Sequence, residues 1–306
     1  MGFIMAEQKI DTQSWALLFV LAMIWGGSFM FVAVAVKELP ALLIVLARVG
    51  IAALILIPTH LVLQGPLPRD SKTWLACGGM SILNNVLPFT AIAWGQHAIS
   101  GGLASVINAT TPMFGAILMA LFALEAITLR KTIALAIGLM GVIILKGGNF
   151  GDLGPQSLGI LAVVFASACY GMSSVWSKKY LIGIPPMTTA TCQLVSSSSI
   201  MAVLVLIFSD VKLYATASFN TWAALLTLAA LSTSIAYLIF FRIIQRAGAS
   251  FVILVTMLVP LSAILLGFFV LGETLSLHEI VGAVVILSAL VIIDGRALKK
   301  ISIHLT

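Results

Sequence analysis

Residues 15–58, WALLFVLAMIWGGSFMFVAVAVKELPALLIVLARVGIAALILIP, carry only three charged side chains, Lys37, Glu38 and Arg48, and they recur in outline 145 positions later. Trp25-Gly26 falls on Tyr170-Gly171, Ser28 on Ser173, Pro40 on Pro185 and Arg48 on Gln193. After a small change in length the offset becomes 148. Thr73-Trp74 then falls on Thr221-Trp222, Asn108 on Thr256, Pro112 on Pro260 and Glu125 on Glu273. If each copy holds five spans, the second enters the bilayer upside down relative to the first. Inverted repeats of this kind recur in secondary transporters. Two unrelated apolar halves would share some Gly, Pro and Leu by chance; matched prolines, glutamates and polar positions at one sustained offset argue against chance.

The composition excludes a soluble globular domain: 61% of residues are hydrophobic, only 8% are charged, and the mean hydropathy is +1.18. About 20 apolar residues span a hydrocarbon core of roughly 30 Å as a helix. Runs of that length tile residues 15–36, 40–63, 73–94, 99–123, 128–146, 157–177, 187–208, 221–241, 248–271 and 277–293. They lack period-two alternation and are too long for barrel strands. The expected fold is therefore an all-α integral membrane protein with ten transmembrane helices in two inverted five-helix repeats. The repeats are placed at 15–146 and 157–294, joined by a linker at 147–156 and flanked by tails at 1–14 and 295–306.

The net charge of +6 is distributed unevenly. With the N-terminus inside, the inner segments hold Lys9, Arg69, Lys72, Arg130, Lys131, Lys178, Lys179, Arg242, Arg246, Arg296, Lys299 and Lys300, and the outer ones Lys37, Lys146 and Lys212. This positive-inside bias predicts both termini in the cytoplasm and points to the lipid bilayer rather than nucleic acid as partner. Cys77, Cys169 and Cys192 fall inside spans without Cys-x-x-Cys spacing, as small core residues rather than disulfides or metal ligands. The first apolar run is too long for a cleavable signal and lacks its small-residue exit, so insertion is expected to rely on the first span. Every connection is short and no phosphate-binding loop occurs, which excludes ATP-driven transport. Metalloprotease, serine-hydrolase and paired-aspartate patterns are absent. No enzyme activity, cofactor or metal is expected. A single chain suffices, with no oligomer required.

Three prolines lie well inside spans: Pro88, Pro112 and Pro260. A helix-interior proline cannot donate to the carbonyl four residues earlier, which frees that acceptor and kinks the helix. The residues four earlier are Asn84, Asn108 and Thr256, all polar and near mid-span. Irregular backbone at that depth belongs in a protein interior or beside a water-filled cavity. Each polar side chain could instead satisfy its own kink; taken together they indicate a cavity, with Asn108 and Thr256 across a pseudo-twofold axis and the prolines as gates. Asn85 joins the set, as do Ser232, Thr233 and Ser234 in the second copy, with Tyr237 a turn beyond. Serines in the run 196–199 read first as packing residues.

Arg48 is the only basic residue deep in a span, roughly 12 Å below the outer boundary. It could hold a substrate carboxylate or phosphate, tie down backbone carbonyls, or snorkel outward. Trp25 and Tyr170 are too deep for an interfacial belt and read as cavity walls or core; Ser28 and Ser173 lie one turn on. Glu125 and Glu273 precede the helix caps Thr128 and Ser276, and Ser276-x-x-Glu279 fits a capping box, so interfacial structure outranks proton transfer there. No Asp or Glu lies at mid-depth, which speaks against a buried carboxylate exchanging proton for cation.

The stretch from Gly101-Gly102 through Asn108-Ala109-Thr110-Thr111-Pro112 to Leu124-Glu125, with its counterpart from Gly248 through Pro260 to Glu273, resembles EamA-type members of the drug/metabolite transporter superfamily. Trp25-Gly26-Gly27-Ser28 and Arg48 are similar too. The resemblance implies a cavity lined mainly by the first, third, fourth, sixth, eighth and ninth helices, with the fifth and tenth packed together beside it. Gly138, Gly141 and Gly282 suit that packing. It further implies a bacterial inner-membrane protein exporting a small metabolite. Small relatives in the superfamily couple to protons through a first-helix glutamate, which this chain lacks. The reading is a secondary transporter exporting a small amphipathic solute, such as an amino acid or related metabolite, by alternating access. Uptake, exchange, and a non-transporting scaffold or sensor are the alternatives.

Overall fold

Asp11, Asp70, Ser100 and Ser218 each stand just before an apolar run, and each supplies a side-chain oxygen to the unpaired N–H groups of a helix start. Proline opens other runs, where its missing N–H costs nothing. The resulting helices are α1 (Thr12–Ala35), α2 (Ala41–Gln64), α3 (Ser71–Gly95), α4 (Gly101–Leu121), α5 (Leu129–Leu145), α6 (Pro155–Tyr180), α7 (Pro186–Phe208), α8 (Phe219–Ala247), α9 (Val255–Leu271) and α10 (Leu277–Asp294). This computed structural model describes residues 11–145, 147, 154–252 and 254–294. Residues 1–10 of the expected tail at 1–14 and the whole tail at 295–306, with Lys9, Arg296, Lys299 and Lys300, lie outside the described residues, as do Lys146 and most of the linker; α1 begins within the expected first tail, at Thr12.

Among the described residues there is no strand, and seven helices are long and apolar enough to cross a membrane: α1–α4 and α6–α8. The α5, α9 and α10 helices are also apolar but end after 17 or 18 residues. At about 1.5 Å per residue they reach roughly 26 Å, the lower limit for a span. Thr128 and Ser276 cap α5 and α10 as expected: the Lys131 N–H donates to Thr128 Oγ1 at 3.3 Å, and the Ser276 N–H to Glu279 Oε2 at 2.7 Å.

The most extensive helix contact joins α5 to α10, to one side of the bundle. Gly141 and Gly282 face each other there; a Cβ on Gly282 would lie 2.8 Å from the Gly141 carbonyl oxygen, so only glycine permits the approach. Gly138 faces Met113 of α4 instead. Elsewhere α1 packs on α8 and α9, α6 on α3 and α4, α2 on α7 and α8, and α3 on α7. Cys77, Cys169 and Cys192 are free and buried.

Polar ties gather at the two ends. At one, Glu273 accepts from the Gly101 and Gly102 N–H groups, both at 3.1 Å, across the start of α4. Glu38 accepts from the Ser218 N–H and hydroxyl, both at 2.7 Å, at the start of α8. At the other end Arg246 pairs with Asp11 at 2.6 Å, and Lys131 and Lys178 pair with Glu125 at 3.1 and 3.3 Å. His60 there bridges the Gly65 carbonyl and the Thr188 hydroxyl.

These contacts hold several carboxyls below their ordinary range. The Ser14 hydroxyl, then Arg246, draws Asp11 down to about 2; the Ser218 N–H lowers Glu38, the Thr73 N–H lowers Asp70, and Lys131 lowers Glu125. A carboxylate with a depressed folded value contributes stability above its unfolded pKa, about 4, and loses it as pH falls through the folded one. The melting temperature in detergent should hold level from about pH 7 to about pH 5 and fall toward about pH 2. Asp11→Asn and Glu38→Gln should start lower at neutral pH and flatten that fall; profiles parallel to wild type would count against the ties.

A central cavity at the irregular helix turns

Two helices leave α geometry at the same place. Residues Ile82–Val86 of α3 and Ala230–Ile235 of α8 each form a π-helical turn. In α8 the hydroxyls of Thr233 and Ser234 reach back to the carbonyls of Leu228 and Ala229, at 3.0 and 3.2 Å, satisfying acceptors the wide turn leaves unpaired. Pro88 follows the turn in α3, but Ala236 stands at the matched place in α8, so proline is not its general cause. In α4 the regular ladder breaks at Ala109-Thr110, just before Pro112. The carbonyl of Asn108, freed by Pro112, accepts from Thr111 Oγ1 at 2.7 Å and is not left open. Pro260 lies within continuous helix in α9, and so does Pro58 in α2, a fourth interior proline beyond the three expected.

Around these turns lies a cavity of about 820 Å³, lined by α1–α4 and α6–α9 and by no residue of α5 or α10. It takes in Trp25, Ser28, Arg48, Asn84, Asn108, Tyr170, Ser173, Ser232, Thr233, Tyr237, Thr256 and Pro260. Asn85, Pro88 and Pro112 are not on its wall. Asn85 is fully buried behind it: its Nδ2 donates to Ser197 Oγ at 2.9 Å, and its Oδ1 accepts from Gln193 Nε2 at 2.8 Å and from the Tyr237 hydroxyl at 3.4 Å. That network ties α3, α7 and α8 together, so Ser197 has a role beyond packing. Ser232 donates to the Ile24 carbonyl of α1 at 3.1 Å, and Ser173 to Asn84 Oδ1 at 3.4 Å.

Arg48 neither snorkels nor ties down a carbonyl. Its Nε donates to Thr233 Oγ1 at 3.1 Å, and its guanidinium carbon sits 3.6 Å from the centroid of the Phe89 ring, a cation–π contact. None of the ion pairs among the described residues involves it. No Asp, Glu or His lines the cavity. Trp25 packs against Phe240 with ring centroids 5.7 Å apart, and Tyr237 stacks on Phe241 at 6.1 Å.

The cavity opens at one end only. Toward the α6–α7 connection its lining includes Ser174, Lys178 and Pro186, all exposed. Toward the opposite end it stops at Val32, Gln96 and Ser105, all buried, beneath the Glu273 and Glu38 ties. Gln96 is 6% exposed, and neither its Nε2 nor its Oε1 has a partner; Asn108 Oδ1 has none either. Gln96 and Gln193 were absent from the expected site. Gln193 had a signal, its match to Arg48; Gln96 stands just past an apolar run and reads as loop.

The EamA-like transporter family model matches residues 13–146 and again 157–294. The Escherichia coli K12 protein called uncharacterized inner membrane transporter YedA is 26% identical over 90% of this chain and 89% of its own length. The Bacillus subtilis uncharacterized transporter YoaV is 24% identical over 86% and 90%, and a chloroplastic WAT1-related protein of Arabidopsis thaliana 25% over 92% and 69%. One solved crystal structure shares the fold with a TM-score of 0.64 over 92% of this chain and 96% of that one, at 15% identity. An all-helical apolar bundle matched over nearly its whole length identifies this chain as a member of the EamA-like transporter family.

Proposed function

We propose that this protein is a secondary transporter that exports a small amphipathic metabolite across the bacterial inner membrane by alternating access. The observation that carries the reading is the polar-lined cavity, closed at one end and open at the other. A scaffold or sensor would need no such chamber at the helix irregularities. The positive-inside bias places the α6–α7 end, with Lys131, Lys178, Lys179 and Arg246, in the cytoplasm, together with both termini. In that orientation the cavity stands ready to load from the cytoplasm, as export requires.

Ten crossings in two inverted five-helix repeats are part of this reading. In support, helix partners exchange between the halves: α1 packs on α8 and α9 as α6 packs on α3 and α4. Small details follow the same exchange. Ser28 donates to the Trp25 carbonyl and Ser173 to the Tyr170 carbonyl, at 2.6 and 2.8 Å. A Cβ on Gly26 would meet the Ala263 nitrogen, and one on Gly171 the Gly115 nitrogen, each at 2.8 Å. The substrate would rest among Trp25, Asn84, Asn108, Tyr170, Tyr237, Thr256 and Arg48, with α4 and α9 moving about Pro112 and Pro260.

Reconstitution into proteoliposomes with a metabolite panel, with and without a pH gradient, tests transport, solute class and coupling together. Arg48→Ala and Asn108→Ala should each lower flux of the identified solute at least about tenfold, the loss of one good polar contact in a dry site, while inserting normally. Wild-type flux in both would remove the site assignment.

The closed end carries its own penalty. An unpaired buried polar group costs about 1–3 kcal/mol, and Gln96 presents two such atoms. Gln96→Met keeps the volume and removes both. It should raise the melting temperature by a few degrees and slow flux by favouring the conformation closed at this end; a lower melting temperature would show that Gln96 is satisfied after all.

A further inference from the structure

We infer that the solute is a monoanion, one carboxylate on an apolar or aromatic body with no ammonium group. The inference rests on the reading of the cavity as a transport site, and it narrows the solute from amino acids in general to their N-acylated or otherwise uncharged-nitrogen relatives.

The first support is the state of Arg48. Its residue is 9% exposed, its Nε is held by Thr233, and its flat face lies on Phe89. Those two contacts fix the guanidinium plane and leave the edge bearing the two terminal nitrogens without a hydrogen bond among the described residues. That edge is the fork that pairs with a carboxylate through two parallel bonds. A buried charge needs an opposite charge or a full set of acceptors, and Arg48 has neither.

The second is the chemistry of the remaining wall. Among the described residues the only other charged one on the wall, Lys178, stands at the mouth, with its side chain 43% exposed and already paired with Glu125. Polar groups farther in, Asn84, Asn108, Tyr170, Tyr237 and Gln193, are neutral. Their oxygens and ring faces can solvate an ammonium, but they offer it no opposite charge, whereas an amide or hydroxyl asks for none. A zwitterion would bring a second cation into a chamber that already holds one without a counter-charge. A cation would be repelled outright. The aromatic walls of Trp25, Phe240 and Phe241 suit an apolar body.

Three probes that share a phenyl body and differ in charge test this on the full-length protein: N-acetylphenylalanine, free phenylalanine and phenylalaninamide. Affinities are read by titration calorimetry in detergent and flux by counterflow in proteoliposomes, near neutral pH. N-acetylphenylalanine should bind at least about tenfold more tightly than phenylalanine, and phenylalaninamide still more weakly. Arg48→Gln should abolish the preference for the anion, and Arg48→Lys, which keeps the charge but not the fork, should restore part of it. Equal or tighter binding of phenylalanine or its amide overturns the inference, as does undiminished anion binding by an Arg48→Gln variant that inserts and purifies normally. Failure of all three probes to bind overturns it too, and leaves transport to be judged by the wider panel. Binding of the anion without counterflow keeps the anion site and sinks the transport reading.

Discussion

Inside hydrocarbon no water is available to a peptide group, so every backbone N–H and C=O must find its partner within the protein. In this chain the requirement is met mostly by regular helix; the π turn at the outward-facing end of α9, Gly267–Leu271, lies away from the cavity, and the other irregular turns gather around that cavity. The π turns of α3 and α8 and the broken ladder of α4 all lie at that wall or directly behind it. The freed carbonyls in α8 and α4 are met by side chains nearby. Thr233 and Ser234 take the carbonyls of Leu228 and Ala229, and Thr111 takes that of Asn108. Of the hydroxyls that take up these carbonyls, those of Thr111 and Thr233 belong to residues on the cavity wall, while Ser234 is buried behind it.

That arrangement explains what could be read from the amino-acid sequence. Prolines 112 and 260 recur at one offset, and the apolar runs are long, so the helix irregularity in α4 and the placement of most cavity residues follow from chemistry visible along the chain. The α5–α10 pairing was implied by the family resemblance, and Gly141 and Gly282 suit its close approach because absence of a Cβ is a local property. What could not be read depends on partners distant in sequence. Nothing in Ala230–Ile235 marks a π turn, because no proline is present and the turn is selected by the packing of α8 on α1 and α2. Asn85 and Asn84 are identical neighbours in the chain, yet one faces the cavity and the other is spent on Ser197, Gln193 and Tyr237. The direction a side chain takes in a π turn is not fixed by a period of 3.6 residues. Pro58 lay inside the expected run at 40–63 as it lies inside α2, but it stands nearer the C-terminal end of its helix than the other three and was not counted with them.

The two stretches matched by the family model, 13–146 and 157–294, differ in charge at aligned positions. Arg48 and Gln193 occupy corresponding positions, and both reach the cavity wall, but only Gln193 is absorbed into a hydrogen-bond network with Asn85 and Tyr237. The amide helps to hold the wall, while the guanidinium is held by one hydroxyl and a ring. Under the proposed repeat, a charge present in one half alone would make the site asymmetric on a doubled scaffold, with selectivity expected where the halves differ.

The end ties divide in the same way. Glu273 spans the first two N–H groups of α4, where the helix dipole and two unpaired donors favour a carboxylate. Its counterpart Glu125 instead meets Lys131 and Lys178, both solvent-accessible, in a pairing that salt screens and that contributes little on its own. One end is thus fastened by oriented backbone donors above buried cavity residues; the other is bordered by exposed, screened charges. The difference in fastening matches the difference in access. Opening the far end would have to release the Glu273 carboxylate from both N–H groups at once, and that is a larger step than parting a screened lysine pair. Under the proposed transport cycle, this asymmetry would favour the conformation with the chamber facing the lysines.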